Sequence, residues 1–209
     1  MRVLLASASQ RRSDWLNGRY ESIELICKPL LSKEKNIENS ETVEKQSADI
    51  CFSKAESAAL EWSFRESDTS NYPEMIIVSD TLVEAPEGEK IALGKPGDRM
   101  KATSMLLRLS GKRHRVWSST AILTRNNNQY QKLYSEWRYK IWTDFAIVEF
   151  DDLREEDLIS LVESDSWIGK AGGYDFDGAA SQYTKIIEGE EVTVLGFSKQ
   201  AIDEFEKII

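Results

Sequence analysis

The chain has 209 residues, 41% of them hydrophobic, with only 4 Pro and 11 Gly, enough apolar material to bury a sizeable core as one large domain or two closely joined lobes. A formal net charge of −9 and a pI of about 4.9 argue against a nucleic-acid backbone or an anionic membrane as the main partner, but not against a small anion held by a local cluster of cations. No segment is apolar for the roughly 18 residues that a membrane span needs.

The N-terminus, Met1-Arg2-Val3-Leu4-Leu5-Ala6, runs straight into a strand-like stretch without the longer apolar region of a signal peptide, so a cytoplasmic protein is expected. Cys27 and Cys51 have neither C-x-x-C spacing nor clustered histidines and read as buried thiols, not as a disulfide or zinc site. Arg2 to Ala6 predicts a short buried strand. Ser7-Ala8-Ser9 breaks it, and Ser9 is placed to cap a helix from about Gln10 to Asn17, closed by Gly18. Two hydroxyls, free backbone N–H groups, Arg11 and Arg12 then meet at one helix start, which favours phosphate. A solvated, Arg-rich helix start is the plainer alternative.

Glu21 to Pro29 predicts a second strand, and Leu31 to Asn39 a polar loop whose first acidic residue is Glu34. From Ser40 to about Trp62 the apolar positions Val43, Ile50, Cys51, Ala55, Ala58, Ala59 and Trp62 follow helical spacing, with Lys54 near the edge of the stripe. After a polar connection, the apolar run Met75-Ile76-Ile77-Val78 delivers Asp80, and Gly94-Lys95-Pro96 follows fourteen residues on. An acid at a strand end and a Gly/Pro-bracketed lysine can meet at the mouth of a sheet, although an Asp there also serves as a helix cap or turn former.

Ala85 to Lys90 predicts a hairpin tip with Ile91 to Leu93 as the return strand, and Asp98 caps a helix that Gly111 ends. Arg115 to Leu123 is predicted as a strand, Tyr134 to Trp142 and Asp144 to Phe150 as paired strands. Asp152-Leu153-Arg154-Glu155 has the form of a capping box. Gly169 to Gly178 is a glycine-rich loop, Glu188 to Glu190 a turn, Val192 to Leu195 a last strand, and Lys199 to Ile209 the closing helix. Helices and strands alternate, without an internal repeat, which gives an α/β class with a mixed sheet.

Six blocks, Leu4-Leu5-Ala6-Ser7-Ala8-Ser9-Gln10-Arg11-Arg12, Lys54-Ala55, Val78-Ser79-Asp80-Thr81, Leu93-Gly94-Lys95-Pro96, Leu109 to Val116 and Gly169-Lys170-Ala171-Gly172-Gly173-Tyr174, occur in the order and at the intervals of the Maf family. The resemblance spans roughly residues 3 to 202 and is weak between 124 and 160. It implies a nucleoside triphosphate pyrophosphatase that cleaves between the α- and β-phosphates with a divalent cation, Mg, Mn or Co. It also implies a single domain over residues 1–209: a mixed central sheet in an elongated, two-lobed body with the site in the inter-lobe cleft, similar to the inosine triphosphatases. A homodimer is a further implication.

Carried over by position, Asp80 matches the family's catalytic acid and Lys95 the lysine of its Gly-Lys-Pro. Ser7, Arg11, Arg12 and Lys54 match phosphate-side residues, and Glu34 with Asp80 would hold the metal. Hydrolysis of a phosphoanhydride asks for an activated water and for neutralisation of a highly anionic substrate, which carboxylates, metal and fixed cations supply. His114 sits where the family also carries a histidine, and reads as structural.

Three departures stand out. Gln10 replaces a proline, and Lys33-Glu34 stands for Asp-Glu. The glycine-rich loop has Asp177 where pyrimidine-preferring members carry glutamine and those preferring 7-methylguanosine triphosphate carry glutamate. A carboxylate only accepts hydrogen bonds and suits the N–H donors of guanine, so Asp177 leans toward a guanine-type base while Lys170 leans the other way. Asp177 before Gly178 also suits a plain turn. Arg12 and Thr81 match other positions linked to base choice, and Trp167 could stack on a base or anchor the loop by packing. The alternative from another class is a nucleotide-binding regulator of cell division that does not turn its ligand over.

Overall fold

The computed structural model describes residues 1–32, 40–65, 72–88 and 90–209. Its eight strands are β1 (Arg2–Leu5), β2 (Glu24–Cys27), β3 (Met75–Glu84), β4 (Ala92–Leu93), β5 (Arg113–Thr124), β6 (Gln131–Tyr134), β7 (Trp137–Phe150) and β8 (Thr184–Glu188). The helices are α1 (Gln10–Arg19), α2 (Val43–Ser63), α3 (Arg99–Leu109), α4 (Glu155–Glu163), α5 (Glu191–Leu195) and α6 (Lys199–Ile208). The class is α/β with a mixed sheet ordered β2-β1-β3-β5-β7-β6, with β4 added to β3 and β8 to β7.

β1 lies parallel to both β2 and β3, and every other pairing is antiparallel. Two apolar clusters fill the first half of the sheet. Leu4, Ile76, Val78, Ala121 and Leu123 face the small side chains of α2, Cys51, Ala55, Ala58 and Ala59. On the opposite face Val3, Leu5, Met75, Ile77 and Ile122 meet Leu16, Phe197, Ile202 and Phe205. A third cluster in the far half joins Val83, Val116, Ala146, Val148 and Phe150 to Leu106, Leu109 and Leu161.

Between these cores the apolar runs of three adjacent strands break in register. Asp80 pairs with Ser119 and Thr81 with Ser118, while Ser118 pairs in turn with Asp144 and Ser119 with Thr143. The hydroxyls satisfy one another: Ser47 Oγ donates to Ser119 Oγ at 2.9 Å, and Ser119 with Thr143 and Thr81 with Ser118 each lie at 2.8 Å. A polar band therefore crosses the sheet at its waist. A bare hydroxyl without a partner there would cost about 1–3 kcal/mol, which is why the hydroxyls come in pairs.

Four sequence expectations are corrected. Residues 134 to 150 do not form two paired strands: Trp137–Phe150 is one continuous strand, and the hairpin turns earlier, at Ser135 with φ 51°, so that Tyr134 pairs with Trp137. Asp144 makes no turn because its carboxylate accepts from Ser198 Oγ, Gln200 N and Gln200 Nε2 at the start of α6. Val192 to Leu195 is helix α5, not a strand, closed by Gly196 at φ 117°. A four-residue apolar run cannot separate a buried helical turn from a strand, and the strand lies earlier, at β8. α4 opens two residues later than the expected capping box implies, at Glu155 with Arg154 as its cap, where Asp157 accepts from Arg154 N at 3.2 Å. Cys51 is buried, but Cys27 is exposed.

Candidate active site

β1 stops pairing with β3 at Ile77, and β4 takes up the same edge of β3 only at Val83. The stretch between them is uncovered on that side, and the start of α1, α2 and the glycine-rich loop close around it. Two adjoining cavities result. The inner one is lined by Asp80, Thr81, Val83, Val116, Tyr174, Phe176 and Val194 among others. The outer, of about 420 Å³, is lined by Ser7, Ser9, Ser53, Ser57 and Ser79 among others, a size within the roughly 300–1,000 Å³ usual for ligand pockets. Arg11, Arg12, Lys54, Lys95 and Lys170 line both. Seven of the sequence-predicted residues thus meet at one place: those five cations, Asp80 and Thr81, with Ser7 on the outer wall.

Asp80 is 6% exposed. Its Oδ1 accepts from Lys54 Nζ at 2.7 Å, and its Oδ2 is buried with no hydrogen-bond partner among the described residues. Ser47, Cys51 and Lys54 lie on the α2 face that crosses the waist of the sheet, where Ser47 bonds Asp80 O and Cys51 bonds Val78 O. Burial pushes the Cys51 thiol up to about 12, so it stays protonated.

The cations divide by what they already hold. Arg12 is tied into the scaffold: Nε donates to Gly196 O at 3.0 Å, Nη1 to Ser79 O at 3.2 Å and Nη2 to Thr81 Oγ1 at 2.8 Å. Adding a Cβ at Gly196 would bring it to 2.6 Å from Arg12 Nε, so the closure of α5 is shaped around this guanidinium. Arg11 donates to Asp175 Oδ1 at 3.2 Å and Lys170 pairs with Asp175 Oδ2 at 3.1 Å. Lys95 is exposed, with no partner among the described residues.

A buried carboxylate oxygen without a donor is what a divalent cation would use. Among the described residues no three His, Cys, Asp or Glu side chains gather into a ligand group. A magnesium ion commonly takes one or two carboxylates and completes its shell with substrate phosphates and water, so Asp80 fits that manner of binding. Glu34, expected as the second carboxylate, lies outside the described residues.

The glycine-rich loop is held by contacts that the sequence only partly signals. Gly172 N donates to Gly94 O at 3.0 Å, joining this loop to the one bearing Lys95. Gly172 has φ +71° and a Cβ there would lie 2.9 Å from Val83 Cγ2, so both conformation and space require glycine. Tyr174, on the inner cavity wall, lies 2.8 Å from His114 Nε2. Burial lowers His114 to about 4 and raises Tyr174, so both are neutral near pH 7. His114 is structural, as its place in the sequence suggests.

Asp177 is exposed and lines neither cavity. Desolvation raises its carboxyl, opposed first by Arg11. Trp167 lines neither and donates Nε1 to Val162 O at 3.0 Å, anchoring the loop by packing. Tyr174 and Phe176, unmarked in the sequence as site residues, line the inner cavity, and Asp175, also unmarked, holds Arg11 and Lys170. Their one signal was position: they directly follow Gly172-Gly173.

A family model described as Maf-like protein matches residues 2–205. A dTTP/UTP pyrophosphatase of Clostridium acetobutylicum is 30% identical over 198 residues, covering 94% of this chain and 92% of that protein. A dTTP/UTP pyrophosphatase of Clostridium botulinum (strain Kyoto) is 32% identical over 196 residues, covering 93% and 90%. A probable bifunctional dTTP/UTP pyrophosphatase/methyltransferase protein of Homo sapiens is 31% identical over 198 residues, covering 94% of this chain and 30% of the human protein. Among solved structures, a HAM1 protein from Coxiella burnetii superposes with a TM-score of 0.49 at 13% identity, covering 100% of this chain and 98% of that one.

Proposed function

Because the chain belongs to the Maf family, we propose that it is a nucleoside triphosphate pyrophosphatase that adds water across the α–β phosphoanhydride to give a monophosphate and pyrophosphate. The observation that carries this reading is the Asp80 carboxylate, with one oxygen held by Lys54 and the other unpartnered, beside a cleft into which five cations of an acidic protein converge.

A carboxylate oxygen offers two acceptor sites. Lys54 fixes the group through Oδ1, so Oδ2 can hold a water and take its proton as the water's oxygen bonds to the α-phosphorus. The Pα–O bond to the β-phosphate then breaks, and pyrophosphate leaves with the electron pair. Arg11, Lys95 and Lys170 neutralise the phosphate chain, each charge-assisted bond contributing about 1.5–3 kcal/mol. A divalent cation, held by Asp80 and by Glu34 as the resemblance implies, would supply further charge neutralisation and a more acidic water.

Relatives called dTTP/UTP pyrophosphatases support a pyrimidine nucleotide as substrate. The opposite lean rested on Asp177, which lies outside both cavities. The test is pyrophosphate release by the purified protein with Mg²⁺ or Mn²⁺ across thymidine, uridine, guanosine and 7-methylguanosine triphosphates. Release from the thymidine and uridine nucleotides well above the others is expected. Release led by 7-methylguanosine triphosphate would overturn the base assignment. No release from any, with nucleotide binding intact, would overturn the enzyme and leave a nucleotide-binding regulator.

A further inference from the structure

Asp175 lies five residues beyond Lys170, in the glycine-rich loop. It lines neither cavity, whereas its neighbours Tyr174 and Phe176 both face the inner one. Its side chain reaches the two cations from outside the cavity linings. Oδ1 accepts from Arg11 Nη1 at 3.2 Å, and Oδ2 pairs with Lys170 Nζ at 3.1 Å. Arg11 belongs to the first turn of α1, which carries no acidic residue, so the helix dipole disfavours a cation there. One carboxylate brings together two like charges, one from α1 and one from the glycine-rich loop.

The placement of that carboxylate is itself prepared. Gly178 N and Ala180 N donate to Asp175 O at 3.1 and 3.3 Å. A Cβ at Gly178 would sit 3.0 Å from Asp175 Oδ2, so the glycine leaves the carboxylate its room. The three side chains are only 21–27% exposed, which limits screening by solvent. The cations also keep donors for a ligand. Lys170 uses one of three N–H groups on Asp175, and Arg11, which lines both cavities, also donates Nη2 to Val194 O at 3.4 Å.

We propose that Asp175 is a positioning residue for the anion clamp: by bridging Arg11 and Lys170 it sets the distance between them, and with it the affinity for the phosphate chain of the nucleotide. This rests on the pyrophosphatase reading. Asp175 touches no reacting atom, so its effect falls on binding and not on bond cleavage. The carboxylate's own repulsion of the substrate acts in the opposite direction, but it acts across two intervening cations. Loss of their alignment prevails.

The experiment compares wild-type protein with Asp175→Asn and Asp175→Glu, measuring KM and kcat for thymidine triphosphate and, separately, the Kd of inorganic pyrophosphate by calorimetry at two salt concentrations. For Asp175→Asn, KM and the pyrophosphate Kd rise together by about tenfold, the low end of what removing a partner that orients a binding group costs, while kcat stays within about twofold. Asp175→Glu, which restores the charge, recovers part of the affinity. Affinities equal to or tighter than wild type in Asp175→Asn would overturn the proposal, making Asp175 a competitor of the substrate. So would a fall in kcat at unchanged KM. Should no nucleotide be turned over, the pyrophosphate Kd still tests the clamp, so failure of the clamp and failure of the pyrophosphatase reading remain distinguishable.

Discussion

Replacing Asp80 with Asn separates the chemistry from the scaffold, because the amide keeps the shape of the carboxylate and its Oδ1 can still accept from Lys54 Nζ, now 2.7 Å away. What disappears is the charge and the basic second oxygen. Losing a positioned general base costs about 10²–10⁴ in rate. With loss of the metal-binding oxygen added, a fall in kcat of at least about 10³ is expected, or roughly 4 kcal/mol at about 1.4 kcal/mol per tenfold. The stability cost is smaller. Breaking a fully buried ion pair costs about 3–5 kcal/mol, but the Lys54 side chain is 19% exposed on an open cleft, and the substitution also relieves the desolvation of Oδ2. A net loss of about 1 kcal/mol remains, or about 2–4 °C in Tm for a chain of this size. Pyrophosphate release measured beside a thermal melt gives both numbers on one sample. Turnover within tenfold of wild type, in a variant that melts as expected, would refute the role of Asp80 as base.

Lys95 gives the converse case. It is exposed and without a protein partner among the described residues, so Lys95→Met should lower kcat/KM by about 10–100-fold, the equivalent of one charge-assisted bond, with no change in Tm. Arg12→Lys should behave oppositely to a phosphate-binding lesion. An ammonium cannot span Gly196 O, Ser79 O and Thr81 Oγ1, and a loss of about 2–3 kcal/mol, or roughly 4–12 °C, should appear in the melt even without nucleotide. An unchanged melt would return Arg12 to a purely substrate-facing role. His114 is held to about 4 by burial, below the roughly 6.5 of the unfolded chain. The unfolded state therefore binds the proton first as pH falls, and about 3 kcal/mol of stability, complete above pH 6.5, drains away between about 6.5 and 4. Chemical denaturation across this range should be less pH-dependent in His114→Gln, and equal slopes would refute this assignment. Asp177→Gln should leave the order of nucleotide preference unchanged, since Asp177 lines neither cavity; a shift toward pyrimidines would restore its place in base choice.

Much of this site was legible because its residues come in short blocks that combine a secondary-structure break with a chemical group. Val78 to Thr81 ends an apolar run in an acid, and Ser7 to Arg12 ends a strand in a capped helix. What the blocks could not give was the division of labour among the cations. Arg11 and Arg12 are adjacent and look alike in sequence, yet Arg12 is engaged by Ser79, Thr81 and Gly196, while Arg11 meets Asp175. Those partners lie 67 to 184 residues away, beyond any local periodicity.

The cleft itself has a sequence signature that strand prediction passes over. Val78-Ser79-Asp80-Thr81-Leu82, Trp117-Ser118-Ser119-Thr120-Ala121 and Trp142-Thr143-Asp144-Phe145 each interrupt an apolar strand with hydroxyls or acids. Read singly, the third looks like a chain reversal, and the sequence pattern divides the single strand Trp137–Phe150 in two. Read together they are one feature, because antiparallel register sets the three interruptions side by side. A sheet whose strands lose their apolar character at the same level cannot close one continuous core over it, so the apolar side chains gather on either side. The polar waist, with Asp80 on the edge between β1 and β4, is left as the place where a charged ligand can approach a buried carboxylate.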